Sequence, residues 1–206
     1  MIISIDGYDG TGKTTLAKSL AKKFNFTYLE KPAILMLKEK YLCSYEEAEI
    51  ILQEIEKKLF SSKDKVKIAK FYCETLVWLK KYSNSRNIIF DKGFLTTYAV
   101  IGYPETELIF DDCIKQGGFF DGSIYLTAND ETRVKRIFER NPTDPDLKRP
   151  VKWHENNLEE YATSRHLNYI KINTENLNPN QVLQKAINIV QNFISNFKNN
   201  CDRPLE

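Results

Sequence analysis

Apolar positions change period several times along the chain, and each change marks an element. Ile2-Ile3-Ser4-Ile5 is a β-branched run stopped by Asp6-Gly7, which predicts a buried strand. Over residues 14–24 the apolar side chains Leu16, Ala17, Leu20, Ala21 and Phe24 recur at helical spacing. The chain therefore opens as strand, glycine-rich turn, helix. Residues 26–29 predict a second strand, closed by Pro32. Ser44 and Glu47 form a capping-box pattern ahead of a charged amphipathic helix that ends near Leu59. Residues 65–82 predict another helix, with Ile68, Ala69, Tyr72, Leu76 and Leu79 on one stripe. Residues 87–91 predict a third strand ending in an acid, and 123–127 a fourth. Asn129 is placed to cap a helix running from Asp130 to about Arg140. Residues 141–150, rich in proline, read as a loop. A helix over 153–165, a fifth strand over 168–172 and an amphipathic helix over 179–197 complete the chain.

Strands alternating with helices predict βαβ units, and so an α/β fold with a five-stranded parallel sheet flanked by helices. In such sheets ligands bind beyond the carboxyl ends of the strands, where Asp6, Glu30, Asp91 and Thr127 all fall. A length of 206 residues favours one domain over residues 1–206. Hydrophobic residues at 42% and charged residues at 28% are globular composition and exclude a disordered or fibrous chain. A formal net charge of +2 is too balanced for a surface dedicated to a nucleic acid polymer. Cys43, Cys73, Cys113 and Cys201 include no CxxC pair, and read as reduced thiols. The N-terminus lacks the pattern of a secretion signal, and no apolar run approaches the ~20 residues of a bilayer span. The expectation is a cytoplasmic protein that engages no membrane.

The first turn carries the chemistry. Gly7-Tyr8-Asp9-Gly10-Thr11-Gly12-Lys13-Thr14 fits G-x-x-x-x-G-K-[ST] and lies between a strand and a helix. Glycines let successive backbone N–H groups turn towards phosphate oxygens, and the helix N-terminus adds its positive dipole end. Gly7, Gly10, Thr11, Gly12, Lys13, Thr14 and Thr15 are thus the expected binding set for ATP. Lys13 would reach the terminal phosphates, and the Thr14 hydroxyl would ligate Mg²⁺. The metal needs a carboxylate at a neighbouring strand end, and Asp91 is the candidate. A carboxylate inside a phosphate cradle repels its ligand. Asp9 is therefore expected to hold a hydroxyl of the second substrate, or else to point into solvent.

Residues 5–15 resemble the E-G-x-D-G-x-G-K-T-T loop of the thymidylate kinase branch of the nucleoside and nucleotide kinases. Asp91-Lys92-Gly93-Phe94-Leu95-Thr96-Thr97 is similar to that family's D-R-Y-x-x-S-S segment. Residues 120–126 are similar to its P-D-x-T-x-Y-L strand entry, and Arg136 with Arg140 to its R-x-x-x-R. The resemblance implies a three-layer P-loop NTPase fold with a short lid over about 136–152. It also implies transfer of the γ-phosphate of ATP, with Mg²⁺, to a deoxynucleotide such as dTMP. Asp9 would hold the sugar 3′-hydroxyl, and Phe71, Lys92 and Thr96 would face the acceptor. The acceptor side departs from the family pattern. Leu29-Glu30-Lys31-Pro32 lacks the arginine of R-E-P, Lys92 and Gly93 replace R-Y, and Thr75 stands where F-x-x-x-R has its arginine. Glu30 also resembles the glutamate that deoxynucleoside kinases carry after their second strand. In that case it would act as base towards a nucleoside or another small hydroxyl metabolite.

Arg133, Arg136 and Arg140 share one face of their predicted helix, and Lys148, Arg149 and Lys152 follow. Cations that close on the equatorial oxygens are the main device of phosphoryl transfer. The resemblance picks Arg136 and Arg140 over Arg133. His154 and His166 pair with no nucleophile or metal set. A nucleotide switch is disfavoured by the absence of an N-K-x-D guanine motif. The partner is a small phosphate acceptor. The sequence leaves its identity open, and the oligomeric state as well, a homodimer included.

Overall fold

The computed structural model describes residues 1–84, 86–144, 147 and 155–201. Five strands, β1 (Ile2–Gly7), β2 (Thr27–Leu29), β3 (Ile88–Asp91), β4 (Gly122–Thr127) and β5 (Tyr169–Asn173), form one sheet in the order β2-β3-β1-β4-β5. Every pairing is parallel, with Ile3 opposite Ile89 and Ile5 opposite Ile124 in the central register. The central strand, β1, ends directly in the glycine-rich turn, with both neighbours ending beside it.

Alternation along the strands explains the layers. Ile3, Ile5, Ile89, Ile124 and Leu126 point to one face and pack on α1 (Lys13–Phe24) and α9 (Pro179–Cys201). Ile2, Ile88, Phe90 and Tyr125 point to the other, against α4 (Lys65–Ser83), α5 (Phe94–Ile101), α6 (Glu107–Lys115) and α8 (Glu155–Ser164). A sheet covered on both faces needs apolar residues at consecutive strand positions, which is why β1 and β3 read as runs.

A third, smaller core lies outside these layers. Ala33, Ile34, Met36 and Leu37 of α2 (Pro32–Tyr41) pack on Ala48 and Leu52 of α3 (Tyr45–Ser62), with Phe71 and Trp78 of α4 at its edge. The expected capping box is present: Glu47 N–H donates to Ser44 Oγ at 3.1 Å, and Ser44 N–H to Glu47 Oε2 at 2.8 Å. Asn129 caps α7 (Asp130–Arg140), accepting from Thr132 N–H at 2.8 Å.

The sequence pattern misses α2, α5, the 3₁₀ turn Pro104–Thr106 and α6. Pro32 does not merely close a strand. It opens α2 from a position where its missing N–H costs nothing. α5 is buried on nearly every side (Phe94, Leu95, Thr96, Tyr98, Ala99, Ile101), so it has no polar stripe to set a helical period. The expected helix over 153–165 is observed as α8, and the fifth strand starts and ends one residue later than expected. Of the expected lid, residues 145, 146 and 148–152 lie outside the described residues, as do Lys148, Arg149, Lys152 and His154. Among the described residues, no helix is long and apolar enough to cross a membrane.

Candidate active site

The glycine-rich turn joins β1 to the start of α1. Gly12 caps α1 at φ 94°, a left-handed conformation natural to glycine. Gly10, at φ 84°, lies so close to α7 that a Cβ there would stand 2.7 Å from the Arg133 carbonyl oxygen. The Thr11 hydroxyl, buried, donates to the Tyr8 carbonyl at 2.7 Å and closes the turn on itself. Thr14 and Thr15 stand exposed at the first turn of α1.

Beneath the turn, Asp6 is fully buried. It accepts from the Ser4 and Ser123 hydroxyls, each at 2.7 Å, from the Thr96 hydroxyl at 2.7 Å and from Thr96 N–H at 2.8 Å. Gly7 N–H donates to the Thr96 hydroxyl at 3.0 Å. Thr96, expected at the acceptor, instead faces inward and buckles α5 to the end of β1. Its hydroxyl lies where a buried carboxylate needs a donor. In the sequence, only its place at the end of a strand marks Asp6.

Lys13 is 5% exposed; its Nζ donates to the Tyr8 carbonyl at 2.7 Å and to Asp9 Oδ1 at 3.3 Å. Burial brings its pKa down to about 8, with Asp9 pulling the other way. Asp9 also pairs with Lys92 Nζ at 3.4 Å. Burial opposes its ionisation, but the two lysines prevail and hold its pKa at about 2. Lys92 itself sits at φ 61°, immediately after β3, with its side chain 61% exposed. Asp9 thus points neither into solvent nor into an empty cradle. It lies between a buried and an exposed cation.

Asp91, buried at the end of β3, accepts a short hydrogen bond from the Thr14 hydroxyl on Oδ2 and one from the Tyr28 hydroxyl on Oδ1 at 3.3 Å. Thr14 and Asp91 are therefore brought together, as expected from the motif. One carboxylate and one hydroxyl make an oxygen donor set, which suits a hard divalent cation that takes one or two protein ligands and fills the rest with water and phosphate. The described residues contain no cluster of three or more His, Cys, Asp or Glu, as a dedicated all-protein cage would need. The residues present fit Mg²⁺.

The arginines separate along α7. Arg133, ranked below the other two from sequence, is 8% exposed and reaches deepest. Its Nε donates to the Asp9 carbonyl at 2.9 Å, and its guanidinium lies 4.9 Å from the Tyr8 ring centroid. Arg136 donates to the Thr174 carbonyl at 2.7 Å, to the Thr174 hydroxyl at 3.0 Å and to the Gly10 carbonyl at 3.4 Å. There it walls a cavity of about 440 Å³ with Thr15, Ser19, Leu177, Pro179 and Leu183. Arg140 pairs with Asp144 at 2.6 Å, 61% exposed, and is not brought to the turn. At about 1.5 Å per residue, it stands roughly 10 Å beyond Arg133 along the helix.

The remaining candidates line the opposite side. Glu30 follows β2 and faces Lys18 of α1 at 3.9 Å, with 56% of its side chain exposed. Phe71 is half-buried on the α2–α3 core, edge-on to Tyr72 at 5.3 Å. Lys31 pairs with Glu49 at 2.9 Å. Cys43, Cys73 and Cys113 are free thiols, and His166 is exposed.

Comparison with known proteins agrees with this arrangement. A family profile described as an AAA domain matches residues 3–163. A protein described as cytidylate kinase, from Fusobacterium nucleatum subsp. nucleatum, is 42% identical over 167 residues, which cover 67% of this chain and 69% of that one. Thymidylate kinase from Ehrlichia chaffeensis has a similar structure, with TM-score 0.56 and 16% identity over 93% of this chain and 98% of that one. Deoxyadenosine kinase from M. mycoides, solved with bound dATP, gives TM-score 0.60 and 20% identity over 93% of this chain and 100% of that one. At those identities the two structural likenesses speak for the fold alone.

Proposed function

The chain belongs to the P-loop family of nucleoside and nucleotide kinases, and within it we propose an enzyme that moves the γ-phosphoryl group of Mg²⁺·ATP to a pyrimidine nucleoside monophosphate. The row Lys13–Asp9–Lys92 carries this reading. Lys13 lies under the donor phosphates, as its place in the motif requires. Lys92 stands one carboxylate away, exposed, between β3 and α5. Two anionic groups that must approach each other need a cation each, and this row supplies them. Asp9, ionised between them, is left to accept from a sugar hydroxyl. The relative named cytidylate kinase supports both the monophosphate and the pyrimidine. Thymidylate remains within the same class.

Around this row the other residues take their parts. Backbone N–H groups of residues 10–14 cradle the donor phosphates, and the cavity beside Arg136 takes the donor base. Thr14 and Asp91 hold Mg²⁺, which when bound neutralises the phosphate oxygens. Arg133 fixes the Asp9 backbone, and so the height of the carboxylate above the turn. Phe71 and the α2–α3 core wall the acceptor.

A second reading has one observation in its favour. Glu30 comes one residue after the Leu29–Phe90 pair, and so level with Asp91 on the α1 side of the sheet. There it could serve a nucleoside 5′-hydroxyl as base. Its pairing with Lys18 weighs against this. The test is ADP release with CMP, dCMP and dTMP against the corresponding nucleosides, in the wild type and in Glu30→Gln. The monophosphate reading expects turnover with monophosphates and little change in the variant. Turnover with nucleosides, and a loss of roughly 10²-fold or more in Glu30→Gln, would overturn it in favour of a general base.

A further inference from the structure

Tyr28 belongs to no motif and lies in the middle of the shortest strand. Its partners give it a task. Among the described residues, β2 is an edge strand whose partner is β3, with Tyr28 opposite Ile89. On the α1 side of the sheet its side chain passes alongside β3 and reaches Asp91, two residues further on. The phenol donates to Asp91 Oδ1 at 3.3 Å, while Thr14 holds Oδ2. The ring itself is fixed, half-buried against the α1 face and with Lys18 Nζ 5.4 Å from its centroid.

The two anchors of Asp91 differ in kind. Thr14 belongs to the phosphate loop, and its hydroxyl is itself a candidate metal ligand. Once that hydroxyl turns to a cation, it can no longer hold Asp91. A carboxylate at a strand end then rotates about its last torsion, unless something else grips the other oxygen. Tyr28 comes from a different element, the edge strand β2, and stays on Oδ1 whichever way the Thr14 hydroxyl turns. We infer that Tyr28 is a positioning residue for the metal site, holding Oδ1 of Asp91 so that Oδ2 stays aimed beside Thr14. This rests on the kinase reading above. Groups that orient a metal ligand in this way are worth roughly 10- to 100-fold in metal affinity.

The test is Tyr28→Phe, which keeps the ring and its packing and removes one oxygen. Mn²⁺ is titrated into the complex of full-length protein with a non-hydrolysable ATP analogue and followed by electron paramagnetic resonance. Turnover is titrated with Mg²⁺ in parallel, and melting temperature is recorded. The expected result is Mn²⁺ affinity weakened about tenfold. The Mg²⁺ needed for half-maximal turnover should rise alongside, with kcat restored at saturating Mg²⁺ and the melting temperature close to wild type. Unchanged Mn²⁺ affinity overturns the inference. So does a turnover loss that saturating Mg²⁺ does not restore, because Tyr28 would then act on the chemistry or the fold. If the wild type itself transfers no phosphate with any cation, it is the kinase reading that fails.

Discussion

Around the phosphate loop Asp6, Lys13 and Asp91 are buried, and each is held by more than one partner. On the α2–α4 side the charges are exposed and held by one partner each. Asp6 accepts four hydrogen bonds without seeing solvent, and Lys13 is tied to a carbonyl and a carboxylate at 5% exposure. Across the site, Lys31–Glu49 and Lys40–Glu74 are surface ion pairs of about half-exposed side chains. Surface pairs of that kind are worth about 0–1 kcal/mol and yield easily to a ligand. A triphosphate presents the same geometry to every enzyme that uses it, so its cradle can be rigid. Acceptors vary, and under the proposed function they meet the small satellite core of α2 and α3, which lies outside the layers packed on the sheet.

The sharpest break in this contrast should come from Lys13→Ala. Donor phosphate loses its buried cation, and turnover should fall at least ~10²-fold, since electrostatic stabilisation of this kind carries that much of the rate. The fold should persist, because burying a lysine whose pKa is lowered to about 8 costs the protein stability. The same shift has a pH signature in the wild type. Between about pH 8 and the ordinary lysine value the unfolded chain binds the proton and the folded one does not, so this group makes stability rise with pH there. Over the same window Lys13 loses its charge before ATP arrives, and kcat/KM for ATP should decline above about pH 8. A flat profile to pH 10, with Lys13→Ala near wild type, would place the donor phosphates elsewhere.

Thr96→Val removes the hydroxyl shared by Asp6 and Gly7 N–H. Leaving a buried charged acceptor one donor short, and a buried N–H without its partner, should cost about 2 kcal/mol, read as a fall of several degrees in melting temperature. Unchanged stability would mean that the Asp6 network is not what holds α5 against the loop. Lys92→Ala sharpens the other half of the comparison. KM for the acceptor should rise about tenfold, the share of one lost charge-assisted contact, with KM for ATP little changed. Equal effects on both substrates would put Lys92 on the donor side. The smallest effect belongs furthest from the chemistry. Ser44→Ala removes the capping box of α3 and should lower stability by about 1 kcal/mol in chemical denaturation, with acceptor KM unmoved.

Legibility followed the same divide. The loop could be read because its residues are consecutive: Gly12, Lys13 and Thr14 are adjacent in sequence, and their joint geometry is local. The meeting of Thr14 with Asp91 could be read as well, since a strand-end acid after an apolar run falls beside the turn that follows the neighbouring strand of a parallel sheet. Thr96 was misread because a motif position does not say which way a hydroxyl points, and here a buried carboxylate 90 residues away claims it. Arg133 was ranked below Arg136 and Arg140 on the family resemblance alone, since residues on one helix face look alike until the helix is docked. Once docked, distance along its axis separates them. Tyr28 had no sequence signal, since its role comes from lying on the strand next to Asp91.

By itself, then, the sequence determined the alternation of elements, the capping of α3 and α7, the phosphate loop and the strand-end carboxylate beside it. Each is written in hydrophobic period or in residues within a few positions of one another, where backbone geometry alone fixes what meets what. Only the tertiary structure decided that Pro32 and Phe94 begin helices, that Asp6 is a buried hub, that Arg133 rather than Arg140 meets the loop, and that Tyr28 grips Asp91. Those outcomes depend on strand order and helix docking, which bring residues 63 to 124 positions apart within hydrogen-bonding distance. A period along one element cannot encode contacts that arise from the meeting of two.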